Sequence, residues 1–497
     1  MIYFCYSNAK TSLPIETFLI YTTMKSICDT ENQMKNFFTK NKELFRQFFP
    51  LLVAIAVQQL IGLAVNLLDN FMLGSYSEIS MSGAALANQV HFVLVTLVAG
   101  TGAGVSVLGA QYWGKGEIDP IRRVISIGFK FSVLAGALFC ALTAIFPVQV
   151  LGLFTNEQAI IAEGVEYLKV MCWTYLIYSA SAVLMYSLQS VQTAFIGTVM
   201  SCSTIVINGC LNYCLIFGNF GAPELGVRGA AIATLVSRIA ELVIITVYIL
   251  LIDKKLKLKL VHLLRFDFTY LPDYIKVALP VIISGGMWGV AQSAQTAILG
   301  HVSAAVLAAN SIASIVFQLF TVFGMSCTSV ASIIMGKTVG SGQSQLVRQY
   351  TRALQLTFIV LGVVSCTLLF VCKDAVVGFY KISEETRSLA VSFIAVLSVT
   401  TIGSCYEYPV QSGIIAGGGD TKYQAIVDNC FMWLWTIPSA ALSAFVFKFP
   451  PVVTFMFLKS DQLLKCIPNS IRCNRYKWVK NLTRQDSGTE KEHEPGA

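Results

Sequence analysis

The chain reads as an all-α polytopic membrane protein, twelve transmembrane helices in two pseudo-symmetric six-helix lobes. Three observations predict this: a very apolar composition, a regular spacing of apolar runs, and an internal repeat. Of 497 residues, 55% are hydrophobic and only 12% are charged. Soluble domains carry roughly 25% charged residues, so this chain has too little polar surface to cover a water-soluble body. Mean hydropathy is +0.67. The formal charge of +8 gives no case for nucleic acid, because the basic residues sit in short loops and near the C-terminus, where they orient a protein in a bilayer. Ten of the fourteen cysteines, Cys140 to Cys430, lie in or beside apolar segments without a C-x-x-C pair. They read as small buried hydrophobes.

A membrane-spanning helix needs about 20 mostly apolar residues. Runs of that kind fall near 48–73, 84–112, 124–146, 164–190, 195–217 and 227–252. A second set falls near 272–299, 304–335, 350–372, 389–415, 425–447 and 451–472. The last run is interrupted by Lys459, Asp461 and Lys465, whose charges are expected to snorkel to the interface. The corresponding layout is a lead at 1–46, a first lobe at 47–252, a linker at 253–271, a second lobe at 272–472 and a basic-to-polar tail at 473–497. The first 33 residues match no signal-peptide order, and the natural start is expected at Met34.

Loop charge is lopsided. One side carries Lys35 to Arg46, Lys115, Arg122 and Arg123, the 253–267 stretch, Lys337, Arg348, Arg352, Lys422 and the tail. On the other side, loops 74–83, 147–163 and 218–226 hold no Lys or Arg, and 373–388 balances three basic against three acidic residues. Positive-inside then puts both termini in the cytoplasm, which leaves the sequon at Asn481 on the wrong side for glycosylation.

The halves repeat. LDNFMLG at 68–74 matches AQTAILG at 294–300, and ALANQV at 85–90 matches LAANSI at 307–312, setting Asn88 opposite Asn310. Gly114-Lys115 pairs with Gly336-Lys337 at the same spacing, and Pro50 and Pro280 are expected to open the first span of each half. An even number of spans per half makes the repeats parallel, with a cavity expected between them. Gln58, Asn66, Asn88 and Asn310 are its candidate polar lining.

Two near-misses to a phosphate loop, GAQYWGKG at 109–116 and ASIIMGKT at 331–338, lie where an apolar helix leaves the membrane, so no nucleotide site is expected. Ionisable residues within spans are more informative, because each is costly in hydrocarbon. Asp69 lies in the first span with no basic residue nearby in sequence. It suits uptake of a proton or small cation; the alternative is a hydrated carboxylate at the interface. Asn208 and Asn212, four apart, share a helix face and offer carbonyl oxygens. Alone, such a pair serves interhelical hydrogen bonding. Arg238 and Glu241, at i, i+3, are expected to pair, a structural role in the first instance, and stand with Glu407 as secondary candidates for coupling. Glu407 is a possible second proton site, and Asp428 is near enough to a helix end to be merely hydrated. His91 and His301 read as packing residues, and no metal or catalytic grouping is evident.

Four segments, FPLLVAIAVQQLIGLAVNLLDNFMLG, GAGVSVLGAQYWGKG, VINGCLNYCLIFGNFGAPELGVRGAAIAT and AGGGDTKYQAIVDN, resemble the multidrug and toxic compound extrusion (MATE) family, from about Lys35 to Arg484. The resemblance implies a twelve-helix antiporter exporting organic, often cationic, compounds in exchange for Na⁺ or H⁺ by alternating access. It implies no other cofactor, and no partner besides membrane lipid and small organic substrates, in a single copy in the plasma membrane. It places the family's first-helix aspartate on Asp69, its fifth-helix polar pair on Asn208 and Asn212, and a hydroxyl on Thr234. Two departures stand out. PVIISGGMWG in the seventh span lacks the acid of some relatives, and Asn212 stands where relatives often have aspartate. The rival readings are a flippase for a lipid-linked saccharide, a membrane-embedded enzyme and a channel.

Overall fold

A computed structural model describes residues 37–484 apart from 38, 266, 379 and 381. The expected start at Met34 lies outside the described residues. The chain divides into two compact units, Met1–Phe49 and Pro50–Ala497. In the first unit, Asn41 closes a turn on the Phe37 carbonyl at 2.8 Å, and Phe45 stacks on Phe49 with ring centroids 5.6 Å apart.

Helix α1 runs Lys42–Tyr76, α2 Glu78–Lys115, α3 Ile118–Ile145, α4 Gln158–Ser190, α5 Phe195–Phe217 and α6 Val227–Ile252. The second set is α7 Leu271–Val302, α8 Ala304–Gly340, α9 Ser344–Gly378, α10 Glu384–Ile415 and α11 Thr421–Val446. These eleven are long and apolar enough to cross a membrane, with best-window mean hydropathy from 1.2 to 2.3. Their outward faces carry large exposed apolar side chains such as Leu138, Val206, Leu250, Val371 and Leu434. That pattern is stable only in a lipid solvent, where helices satisfy their own backbone groups.

The twelfth expected span runs as α12, Pro451–Lys459, followed by the short helices Asp461–Leu464 and Cys466–Asn474, with Ser460 and Lys465 between them still in the right-handed helical region. Asp461 and Lys465 do not snorkel; both are buried and pair with each other at 3.1 Å. In a low dielectric, opposite charges find each other before they find water. Pro50 and Pro280 also lie inside α1 and α7 rather than at their starts. The described cysteines are unbonded.

The repeat is visible in the caps. Ser77 opens α2 by accepting from the Ser80 N–H, and Ser303 opens α8 by accepting from the Val306 N–H at 3.1 Å. Each supplies an oxygen to an otherwise orphan donor. Helix α2 is the axis of the packing, lying against α4 in its own half and α7 and α8 in the other. Its glycines serve close approach, not bending. A methyl at Gly100 would collide with Ile282, at Gly102 with Tyr186, and at Gly104 with Tyr274 at 2.8 Å. The helix itself is uninterrupted. In α10, Pro409 begins a wider π-helical turn, Pro409–Ile415, because its missing N–H cannot continue the α-helical ladder.

Candidate functional site

Asp69 sits on α1 about two turns before the helix ends at Tyr76. Its Oδ1 accepts from Asn212 Nδ2 at 2.5 Å. The same amide nitrogen reaches Asn208 Oδ1 at 3.1 Å, and Asn208 Nδ2 extends toward Thr234 Oγ1 at 3.4 Å. Thr234 in turn donates to the Ala230 carbonyl at 3.1 Å. Asn208, Asn212 and Thr234 are all buried. One hydrogen-bonded chain therefore joins α1, α5 and α6 through the four residues that the sequence nominates.

Two features make this chain chemically unfinished. Among the described residues, no basic side chain lies within ion-pair distance of Asp69; Arg238 reaches it only through its field. Asn212 Oδ1 is buried and receives no hydrogen bond from any described residue. An orphaned carbonyl beside a carboxylate is an unmet acceptor set, which a proton on the carboxylate or a hard cation can complete.

Tyr167 of α4, 3% exposed, lies beside Thr234 and Asp69 and walls the site. Sequence reasoning missed it, since one tyrosine in an apolar helix carries no periodic signal.

A cavity of about 440 Å³ opens next to this chain, between α1, α4, α5, α6 and α8. Gln58 and Asn66 line it from α1, with Tyr178 and Tyr186 opposite. Asn66 is three residues before Asp69, so both share a helix face. Arg238 and Glu241 also face the cavity and pair at 2.8 Å, while Thr204 donates to the other Glu241 oxygen at 2.6 Å. The pair presents a dipole rather than a net charge. Gln58 Oε1 receives no hydrogen bond from described residues. Asn88 and Asn310 are not among the residues lining this cavity.

The second-half acids sit elsewhere. Lys465 faces three carboxylates: Asp461 at 3.1 Å, Asp428 at 3.3 Å and Glu407 at 4.0 Å. Asp428 is thus an ion-pair partner rather than a carboxylate held by water alone. The cluster borders a separate cavity of about 290 Å³ lined by Trp288, Tyr408 and Met432. His91 packs on Tyr175 and Tyr178, and His301 bonds the Ala297 carbonyl at 2.8 Å. No group of three or more metal-ligating side chains occurs among the described residues.

A probable multidrug resistance protein NorM of Listeria innocua is 23% identical over 404 residues, covering 79% of this chain and 86% of the relative. The protein of the same name from Thermotoga maritima is 24% identical over 451 residues, covering 89% and 95%. A Vibrio cholerae MATE transporter, VcmN in its bent form, superposes with TM-score 0.79 at 14% identity, covering 88% of this chain and 98% of that one. A crystal structure of MATE in complex with MaL6 superposes equally well, TM-score 0.79 at 15% identity, covering 86% and 96%. The MatE family profile matches twice, at 54–214 and 280–442, once in each half of the repeat. The chain is an integral membrane protein that belongs to the MatE family of multidrug efflux transporters, which are not enzymes.

Proposed function

We propose that the protein exports organic, often cationic, compounds in exchange for Na⁺ or H⁺ by alternating access, with Asp69 as the coupling carboxylate. The observation that carries this reading is the chain Asp69–Asn212–Asn208–Thr234, with its orphaned Asn212 oxygen, one helical turn from the cavity residue Asn66. Neutralising Asp69 by a proton or Na⁺ changes what Asn212 and Asn208 must donate to, and α1, α5 and α6 repack accordingly. Coupling requires only that ion and substrate favour different states of the same two-state protein. The cavity suits an amphipathic guest: the aromatic ring of Tyr186 for a cation, Gln58 and Asn66 for its polar groups. In this reading the protein acts as a single copy in the plasma membrane, with both termini cytoplasmic.

The test is efflux of a fluorescent organic cation from proteoliposomes under separately imposed Na⁺ and proton gradients. Gradient-driven efflux in the wild type, lost in Asp69→Asn, is the expected result and identifies the ion. Efflux unaffected by Asp69→Asn would remove the carboxylate from the mechanism. Absence of efflux under either gradient would favour the lipid-linked saccharide flippase.

A further inference from the structure

The basic segment after the last helix is not a loose tail. Beyond Cys466–Asn474, the chain turns at Tyr476, where φ is 55°. Trp478 follows, fully buried, its Nε1 donating to the Cys473 carbonyl at 2.8 Å. Its ring occupies the space where a side chain at Gly418 would be. Lys480 then bonds the Gly418 carbonyl through its N–H at 2.9 Å and Asp420 through its ammonium at 2.6 Å. Buried Asp420 also holds Arg472 at 2.5 Å. Up to this point the segment is fixed to the α10–α11 connection, in the second half of the repeat.

Within four residues it crosses to the first half. The Gln111 side chain on α2 acts as a backbone partner: its Nε2 donates to the Lys480 carbonyl at 3.2 Å, and its Oε1 accepts from the Leu482 N–H at 2.8 Å. The Arg484 N–H donates to the Tyr112 hydroxyl at 3.1 Å, and Lys115 donates to the Arg484 carbonyl at 2.8 Å. The Arg484 guanidinium reaches back to the second half, pairing with Asp273 at the start of α7 at 2.9 Å and stacking over Tyr270, 4.8 Å from its centroid. Residues 478–484 therefore fasten α10–α11 to α2 and the start of α7.

The helix ends beneath the segment are held equally closely. A methyl on Gly114 of α2 would overlap the Lys337 carbonyl of α8, and one on Gly340 of α8 would overlap the Gln111 carbonyl of α2. Backbone meets backbone across the repeat, with Gly114 of one aligned Gly-Lys pair lying against Lys337 of the other. Such a crossing must come apart if the halves are to separate at this end.

We propose that residues 475–484 are a strap that holds this end of the transporter closed, and that its release from Gln111, Tyr112 and Lys115 accompanies opening. The proposal rests on the alternating-access reading above. A strap bonded to both halves is compatible with one state only, so it biases the equilibrium toward the closed end.

The experiment is hydrogen–deuterium exchange on the full-length protein in lipid nanodiscs, comparing wild type with Gln111→Leu and Tyr112→Phe, which remove contacts between the segment and α2. These changes leave the Trp478 seat intact, which a truncation would not. The informative residues are 99–107 and 328–333; several of them line a small cavity of about 170 Å³ that the strap does not touch. Loss of both Gln111 hydrogen bonds is expected to speed exchange there by about fivefold and to slow it at the opposite ends of α1 and α8, with Tyr112→Phe giving a smaller change in the same sense. Changes confined to 475–484 and 108–115 would show a local clasp and overturn the strap. The wild type is also measured with and without the coupling gradient. If its two ends never change in opposite senses, alternating access itself fails and the gating role fails with it. If they do so in the wild type but Gln111→Leu shifts neither, only the strap fails.

Discussion

The two halves carry different chemistry at equivalent places. Position 69 in LDNFMLG corresponds to position 295 in AQTAILG. In the first half the carboxylate of Asp69 meets the amides of α5. In the second half Gln295 meets the Met432 sulfur at 3.3 Å and, at a long 3.5 Å, the ammonium of Lys459. No described carboxylate lies within ion-pair distance of Lys459, and the second half's acids gather instead on Lys465. The same scaffold therefore holds a carboxylate that faces only amides in one half and three carboxylates that share one ammonium in the other, with Glu407 Oε1 buried and without a hydrogen-bond partner among the described residues. Under the proposed function, the first half exchanges the ion and the second half's acids are held by their shared ammonium.

The largest test of that contrast is Lys465→Met. It would leave Glu407 and Asp461 buried without a cation, and breaking a buried pair from one side costs about 3–5 kcal/mol. A drop in the detergent-solubilised unfolding midpoint, or failure to accumulate, is the expected result. An unchanged midpoint would mean these acids are already protonated and that the cluster is not an ion pair. Next in size is the matched comparison of Asp69→Asn with Glu407→Gln in gradient-driven efflux. Asp69→Asn is expected to lower the coupled rate by about 100-fold, a differential of about 2.7 kcal/mol, with little change in unfolding midpoint. Glu407→Gln removes one of three carboxylates around one ammonium and is expected to keep the coupled rate within about twofold. Equal losses in the two variants would erase the distinction between the halves.

Asp69, Asn208 and Asn212 were legible because each breaks a local rule: a carboxylate in an apolar run, and two amides spaced to share one helix face. The Lys465 cluster was not legible as a unit. Its members come from α10, α11 and the run that follows α12, and no local pattern announces a contact between distant segments. Read locally, Asp461 and Lys465 weakened a predicted span; read in place, they pair one helical turn apart and are buried among further acids. The repeat matched Asn88 with Asn310, but equivalence under a repeat does not say which way a side chain faces, and neither lines the cavity beside Asp69. The strap was hidden for a compositional reason. RYKWVKNLTRQ reads as a solvated basic run, and only Trp478 hints at burial.

The smallest effect concerns the far end of the polar chain. Thr234 is tied to Asn208 by one long contact of 3.4 Å, while its own hydroxyl proton is committed to the Ala230 carbonyl. Thr234→Val keeps the shape and removes the oxygen, so Asn208 Nδ2 loses an acceptor but Asn212 and Asp69 keep their contact. A hydrogen bond that stretched belongs at the lower end of the usual net range, about 0.5 kcal/mol, or roughly a twofold change in an equilibrium constant. The half-saturating concentration of the coupling ion should therefore rise about twofold with the maximal efflux rate unchanged. A rise of tenfold or more would make the Thr234 oxygen a direct ligand, extending the first-half site to α6. No rise at all would end the functional chain at Asn208 and narrow the site to α1 and α5.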